Sequence, residues 1–181
     1  MPDATRHPVN LTAPEMIAGI QINRTDSGLW SISVPQRSPE YPAVVLDGEF
    51  YESETGAFVS ERVGVLSETA KLGAGAIICA GARLYGDNEI GPKTVVRERV
   101  FMSGGASIGA GSIIGAKSEL EVWTYVGDNV YLGSRVKLKK RGLNVPNESI
   151  IGARQELTKH IMPRDVPIHL PSIKHPSFAI Q

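Results

Sequence analysis

The sequence predicts an all-β chain in which short strands stack as coils, and three observations carry that prediction. An apolar residue recurs every six positions through the middle of the chain, glycine is concentrated there, and proline is nearly excluded from it. Fifteen of the 19 glycines lie between Gly64 and Gly152, and Pro92 is the only proline between Pro42 and Pro146. Read in sixes from Leu66, the middle gives LSETAK, LGAGAI, ICAGAR, LYGDNE, IGPKTV, VRERVF, MSGGAS, IGAGSI, IGAKSE, LEVWTY, VGDNVY, LGSRVK and LKKRGL. Leu, Ile, Val or Met opens all thirteen. A helix cannot hold a period of six on one face, and its interior tolerates glycine poorly. Extended segments can.

The fifth position of each hexad is short or β-branched, from Ala70 through Asn88, Thr94, Val100, Ser112 and Val136 to Gly142. Alternation along a strand turns this residue and the first of the next hexad toward one interior, while the sixth points outward and glycine-rich positions make the corners. One extra residue after Leu138 shifts the phase, which resumes at Val145, Ile151 and Leu157, and Val59 with Val63 suggests an earlier hexad with a similar slip. The array is expected over residues 59–159, with three hexads per coil. Its five to six coils then stack about 4.8 Å apart. Before it, IQINRTDSGLWSISV and AVVLDGEFYESETGAFV are alternating runs separated by Asp-Gly and proline turns. They make residues 14–58 an N-terminal β segment. Residues 1–13 read as a flexible terminus and residues 160–181, rich in proline, as an extended tail.

Composition narrows the function classes. With 19 Lys+Arg against 19 Asp+Glu the chain has no global attraction for nucleic acid or an anionic membrane, so a phosphate-bearing partner must be met by local clustering. A hydrophobic fraction of 41% with 21% charged residues is that of an ordinary globular chain. No apolar run is long enough to span a bilayer, and MPDATRHPVNLTAPEM lacks the pattern of a secretory signal. The single cysteine, Cys79, allows no internal disulfide and no Cys-based zinc site, so a reducing, cytoplasmic setting is expected.

The tandem [LIVM]-G-x-x-x-x repeat, clearest in LGAGAI, IGPKTV, IGAGSI, VGDNVY and LGSRVK, resembles the hexapeptide-repeat superfamily of left-handed parallel β-helices. VPNESIIGARQELTKHIMPRDVP resembles the last coil of its acyltransferases. The resemblance implies a homotrimer in which acyl-CoA, a co-substrate and not a tightly bound cofactor, meets a small acceptor in the cleft between subunits. Many of these acyltransferases use a histidine in or beside the coils. Here His7, His160, His169 and His175 all lie outside residues 66–143, and the chain ends PIHLPSIKHPSFAIQ where the acyltransferases usually have a G-x-P-A-K type turn. The related carbonic-anhydrase branch needs three histidines on adjacent coils, so no metal is expected. A non-catalytic ligand-binding module or assembly scaffold on the same fold stays open beside the transferase.

Residues eighteen apart should stack on the surface. The outward column Ile77, Val95, Ile113, Tyr131 is apolar throughout, and reads either as the subunit interface or as a face covered by residues 14–58 or the tail. The other two outward columns are Lys71, Glu89, Ser107, Tyr125, Leu143 and Arg83, Phe101, Glu119, Lys137. A corner column runs Gly81, Arg99, Lys117, Arg135, with Arg97 and Lys137 nearby. It reads as an edge for a small anionic or phosphorylated ligand, or as a solvated edge paired with Glu98 and Glu119. RVKLKKR interleaves inward apolar residues with its cations, so a nucleic-acid patch is not expected. Tyr85, Asp87, Glu121, Trp123 and Tyr125 share another corner and either stack on a sugar or base or pack beneath the N-terminal segment. Acyl transfer needs a proton acceptor. Without a coil histidine the candidates are Glu98 and Glu119, with His160 reaching only an extended cleft, and both glutamates are equally candidates for local ion pairs.

Overall fold

The computed structural model describes residues 50–160 continuously and, outside them, the strands Gln21–Arg24, Trp30–Val34, Val44–Gly48 and His169–Leu170. The expected flexible terminus, residues 1–13, and nearly all of the expected tail lie outside the described residues. Every described element is a strand. From Phe58 to Leu157 two-residue or three-residue strands alternate with tight corners, and each strand pairs in parallel with the one a coil above and a coil below. The result is a β-solenoid with three flat faces.

The faces differ in what they turn outward. One, here the apolar face, holds Phe58–Ser60, Ile77–Ile78, Val95–Val96, Ile113–Ile114, Tyr131–Leu132 and Ile150–Ile151. The charged face holds Val65–Leu66, Arg83–Leu84, Phe101–Met102, Glu119–Leu120, Lys137–Leu138 and Glu156–Leu157. The mixed face holds Lys71–Leu72, Glu89–Ile90, Ser107–Ile108, Tyr125–Val126 and Asn144–Val145. Two faces thus have six rungs and the third has five, so the solenoid makes about six turns.

The period of six is explained by what lies inside. First-position residues such as Ile78, Leu84, Ile114 and Leu132 are buried, and so are fifth-position residues such as Ala76, Ala82, Val100 and Val136. Three inward strands per coil leave a narrow triangular interior, which large residues at every inward position would overfill. Fifth-position hydroxyls stitch neighbouring coils together. Thr94 Oγ1 donates to the Gly109 carbonyl at 2.6 Å and accepts from the Ser112 N–H at 3.2 Å, while Ser112 Oγ donates to the Gly127 carbonyl at 2.8 Å and accepts from the Val130 N–H at 2.9 Å. Glycine at the second position has a different cause: a Cβ on Gly91 would stand 2.6 Å from the carbonyl carbon of Gly109 in the next coil.

The phase slip sits inside the corner 139–143. Gly142 takes the positive-φ corner site (φ 69°) and Leu143 becomes the buried inward residue. The column expected to run Tyr125 to Leu143 on the outside therefore runs Tyr125 to Asn144. From there on partners are nineteen apart, as in Tyr131 with Ile150 and Lys137 with Glu156.

Beyond the coils, β1 (Gln21–Arg24), β2 (Trp30–Val34) and β3 (Val44–Gly48) form an antiparallel meander, with Ile32 opposite both Ile22 and Leu46. The strand β4 (Phe50–Glu52) pairs antiparallel with Phe58–Ser60 and so caps the first edge of the apolar-face sheet. At the other edge, His169–Leu170 pairs in parallel with Ile150–Ile151 and extends that sheet to eight strands.

The apolar stripe expected to offer a subunit interface is closed within one chain. Ile77 and Val95 are 0% exposed and Ile113 2%, Phe50 and Phe58 are buried beside them, and only Tyr131 of the four is partly open. These outward side chains form no part of the solenoid interior. In a single chain the side chains of Ile77, Val95 and Ile113 are therefore not available on the surface.

Candidate functional site: a cation column on one corner

Between the apolar and charged faces each coil turns through residues 79–82, 97–100, 115–118, 133–136 and 152–155. The turn needs one residue in the left-handed backbone region. Gly81 fills it first (φ 72°), followed by Arg99 (58°), Lys117 (61°), Arg135 (61°) and Arg154 (63°). Each rung is fixed by a vertical hydrogen bond from its own N–H to a carbonyl below: Arg99 to Ala80 at 3.0 Å, Lys117 to Glu98 at 2.9 Å, Arg135 to Ala116 at 2.8 Å and Arg154 to Ser134 at 2.9 Å. Four cations therefore stand one above another, about 4.8 Å apart and about 14 Å from end to end.

The column costs stability twice. Left-handed backbone disfavours a residue with a Cβ by about 1 kcal/mol or more. Like charges one coil apart repel by about 1 kcal/mol per pair in water, less where long side chains splay. The other corners carry glycine at some of these sites and so avoid the first cost there. Between the charged and mixed faces the positive-φ sites are Gly86, Gly105, Trp123 and Gly142; between the mixed and apolar faces they are Gly75, Lys93, Gly111, Asn129 and Glu148. Only here do cations occupy four successive rungs.

Among the described residues no carboxylate pairs with the column. Arg99, Lys117, Arg135 and Arg154 are exposed and, among the described residues, their side chains make no hydrogen bond or ion pair. The acids expected to pair with them are engaged elsewhere. Glu98 Oε2 lies 3.2 Å from Arg97 Nε, which is itself buried without a hydrogen-bond partner. Glu119 accepts a hydrogen bond from Lys139 Nζ at 2.8 Å and lies 3.5 Å from Lys137 Nζ. That clamp, led by the Lys139 hydrogen bond, holds the Glu119 carboxyl below the usual carboxylate range.

Of the residues singled out from the sequence, Arg99, Lys117 and Arg135 stand in the column and Arg97 stands beside it, next to Glu98. Lys137 belongs to the Glu119 clamp on the charged face. Arg154 is the rung that sequence spacing missed, because the insertion at 139–143 makes it nineteen residues from Arg135. The likeness of Gly152-Ala153-Arg154 to Gly133-Ser134-Arg135 was the available signal. Above Arg97 and Glu98 the residues flanking the column are small: Gly115 and Ala116, Gly133 and Ser134, Gly152 and Ala153.

Other candidates are accounted for. Cys79 is buried, and loss of hydration pushes its thiol far above the ordinary range. His160 Nδ1 accepts from the Asn144 N–H at 3.2 Å at the top of the mixed face. RVKLKKR is divided: Val136 and Leu138 are interior, Lys137 and Lys139 hold Glu119, and the Arg141 guanidinium stands 4.2 Å from the Trp123 ring centroid. Tyr85, Phe101, Trp123 and Tyr125 are exposed. The described residues contain no group of three or more metal-ligating side chains and no helix long and apolar enough to cross a membrane.

Against solved structures, the chain is similar to a histidine-to-asparagine variant of perosamine N-acetyltransferase from Caulobacter crescentus, determined with CoA and GDP-perosamine. The TM-score is 0.56 at 22% identity, over 58% of this chain and 49% of that one. The chain has the hexapeptide-repeat β-helix fold. A second match, the acetyltransferase domain of PglB from Neisseria gonorrhoeae FA1090, has 16% identity over 60% of this chain and 52% of that one, at a TM-score of 0.26. This chain thus spans about half the length of the proteins it matches. No family model and no curated protein matches it.

Proposed function

We propose that this hexapeptide-repeat protein is an acyltransferase that holds acyl-CoA along the cation column and passes the acyl group to a small acceptor where subunits of a homotrimer meet. The observation that carries the reading is the column of four exposed cations without a carboxylate partner, on a fold whose solved relative was determined with CoA. CoA carries phosphates, and Arg and Lys in a row are the side chains suited to them. In this reading Arg99, Lys117, Arg135 and Arg154 bind phosphate, and Arg97 and Lys137 add positive potential from either side.

The transfer step needs few parts. The acceptor amine or hydroxyl attacks the thioester carbonyl, the C–S bond breaks, CoA leaves as thiolate, and a base takes the acceptor's proton. Glu119 is the weaker of the two carboxylate candidates, because two lysines stabilise its ionised form. Glu98 is the better one: its only ion pair is with Arg97, beside the column. Of the four residues read as a subunit contact, only Tyr131 is open to a neighbour, since Ile77, Val95 and Ile113 are already closed off.

One observation favours a second reading, a non-catalytic binding module. Every carboxylate or imidazole weighed as the base is already engaged: Glu119 by lysines, Glu98 by Arg97, His160 by a backbone N–H. Calorimetry with acetyl-CoA, followed by a thiol-release assay against small amines and alcohols, separates the two. The transferase reading expects saturable binding and turnover. In Glu98→Gln it expects turnover to fall by about a hundredfold or more with binding retained. Binding without turnover leaves the module, and no binding at millimolar acetyl-CoA removes the transferase.

A further inference from the structure

We infer that the cation column also takes a ligand longer than the phosphates of CoA: a linear polyanion, a chain of phosphoryl groups laid parallel to the solenoid axis and engaging all four rungs. The inference rests on the reading of this corner as a phosphate-binding edge and adds the length and shape of what it takes. Four rungs from Arg99 to Arg154 present one cation per coil in a straight line, a length of about 14 Å at the inter-coil spacing. A single diphosphate engages two neighbouring rungs and leaves the others repelling one another. A chain with charge repeated along its length neutralises all four.

Three features of the corner support a chain ligand. The rungs share one backbone conformation, with φ between 58° and 63°, so their side chains leave the corner in the same direction at each level. From Gly115 upward the flanking residues are small, with Gly115, Gly133 and Gly152 buried and Ala116, Ser134 and Ala153 partly exposed, so no bulky side chain stands on that side of the charges. No aromatic residue lies in the corner segments 97–100, 115–118, 133–136 and 152–155. Single-stranded nucleic acid is normally held by a cationic groove together with aromatic stacking platforms. Within these segments no such platform stands, so repeated charge is the feature the corner itself offers.

Cations stand where glycine or asparagine would relieve the backbone, and this gives the test its discriminating readout. Lys117→Asn, Arg135→Asn and Arg154→Asn should each raise the thermal midpoint by about 2 °C, because strain and repulsion both fall. Each should also weaken binding of inorganic polyphosphate several tens of residues long, and lower the slope of log affinity against log salt by about 0.7. Lys93→Asn is the control. Lys93 has the same φ of 61° but stands on another corner between Gly75 and Gly111, so it should gain stability with polyphosphate binding unchanged.

The titration compares long polyphosphate, triphosphate and acetyl-CoA on the wild-type protein and these variants. The inference predicts affinity rising with chain length beyond triphosphate. It is overturned if triphosphate binds as tightly as the long chain, or if Lys93→Asn weakens binding as much as Lys117→Asn. Length-dependent polyphosphate binding without acetyl-CoA binding upholds the polyanion site and removes the transferase. Acetyl-CoA binding without length dependence does the reverse.

Discussion

Single residues in this protein are set by their position within the hexad before they are set by chemistry. Cys79 shows this. It occupies the second position of its hexad, at the start of the corner 79–82, is buried, and has its thiol pushed up chiefly by loss of hydration, with Glu98 adding to the shift and Arg97 opposing it. Its thiolate is therefore inaccessible in the folded state. The native protein should be inert to Ellman's reagent and should react at one thiol per chain only on unfolding; rapid native labelling would contradict the assigned burial. Glu119 shows the opposite case, a surface carboxylate whose lysine partners hold its pKa below the usual carboxylate range. A group with a depressed folded pKa stabilises the fold above its unfolded pKa and loses that contribution as pH falls through the folded value. That loss therefore falls on the acid side of the usual carboxylate range, and exposure and salt screening keep it small. Lys139→Met should move the Glu119 titration, followed by carboxyl-carbon NMR, upward toward the ordinary value. An unmoved titration would mean that the clamp is absent in solution.

At the scale of the element, the unit is one coil, and the contacts that matter run vertically. Ser112 is representative, since its hydroxyl serves the Gly127 carbonyl and the Val130 N–H of the coil above, and its N–H serves Thr94 below. Ser112→Ala leaves both upper groups buried without that partner and should cost about 1–3 kcal/mol in chemical denaturation. Leu132→Ala, which empties a fully buried first position, should cost about 2–5 kcal/mol. If either value is near zero, the stacked register is wrong at that coil. The coil was also the most legible unit in the sequence, because a three-sided interior imposes its own period on residue size. What could not be read was the conformation of the corners. Arg99, Lys117 and Arg135 carry no turn signature, so only backbone geometry reveals that they occupy sites suited to glycine. Arg154 was hidden for a simpler reason: one inserted residue moved it from eighteen to nineteen positions above Arg135.

At the scale of the whole molecule, three faces with one fold have separate roles. The apolar face is closed within the chain, the charged face carries the Glu119 clamp, and the corner between them carries an unpaired column of cations. The burial of the apolar stripe and the unpaired state of the column each stood as one of two open readings in a sequence of 19 cations and 19 anions. Each depends on which segments meet, and on which acids find other cations first. Glu98 goes to Arg97, and Glu119 goes to Lys137 and Lys139. That leaves a net-neutral molecule with one strongly polarised edge, and the function proposed for it rests there. The most direct measurement is calorimetric titration of acetyl-CoA into the wild-type protein and into a variant with Arg99, Lys117, Arg135 and Arg154 all replaced by asparagine. The account predicts saturable binding by the wild type and at least a tenfold loss in a variant that is as stable or more so. Equal affinity in both, or no binding by the wild type at millimolar ligand, would contradict it.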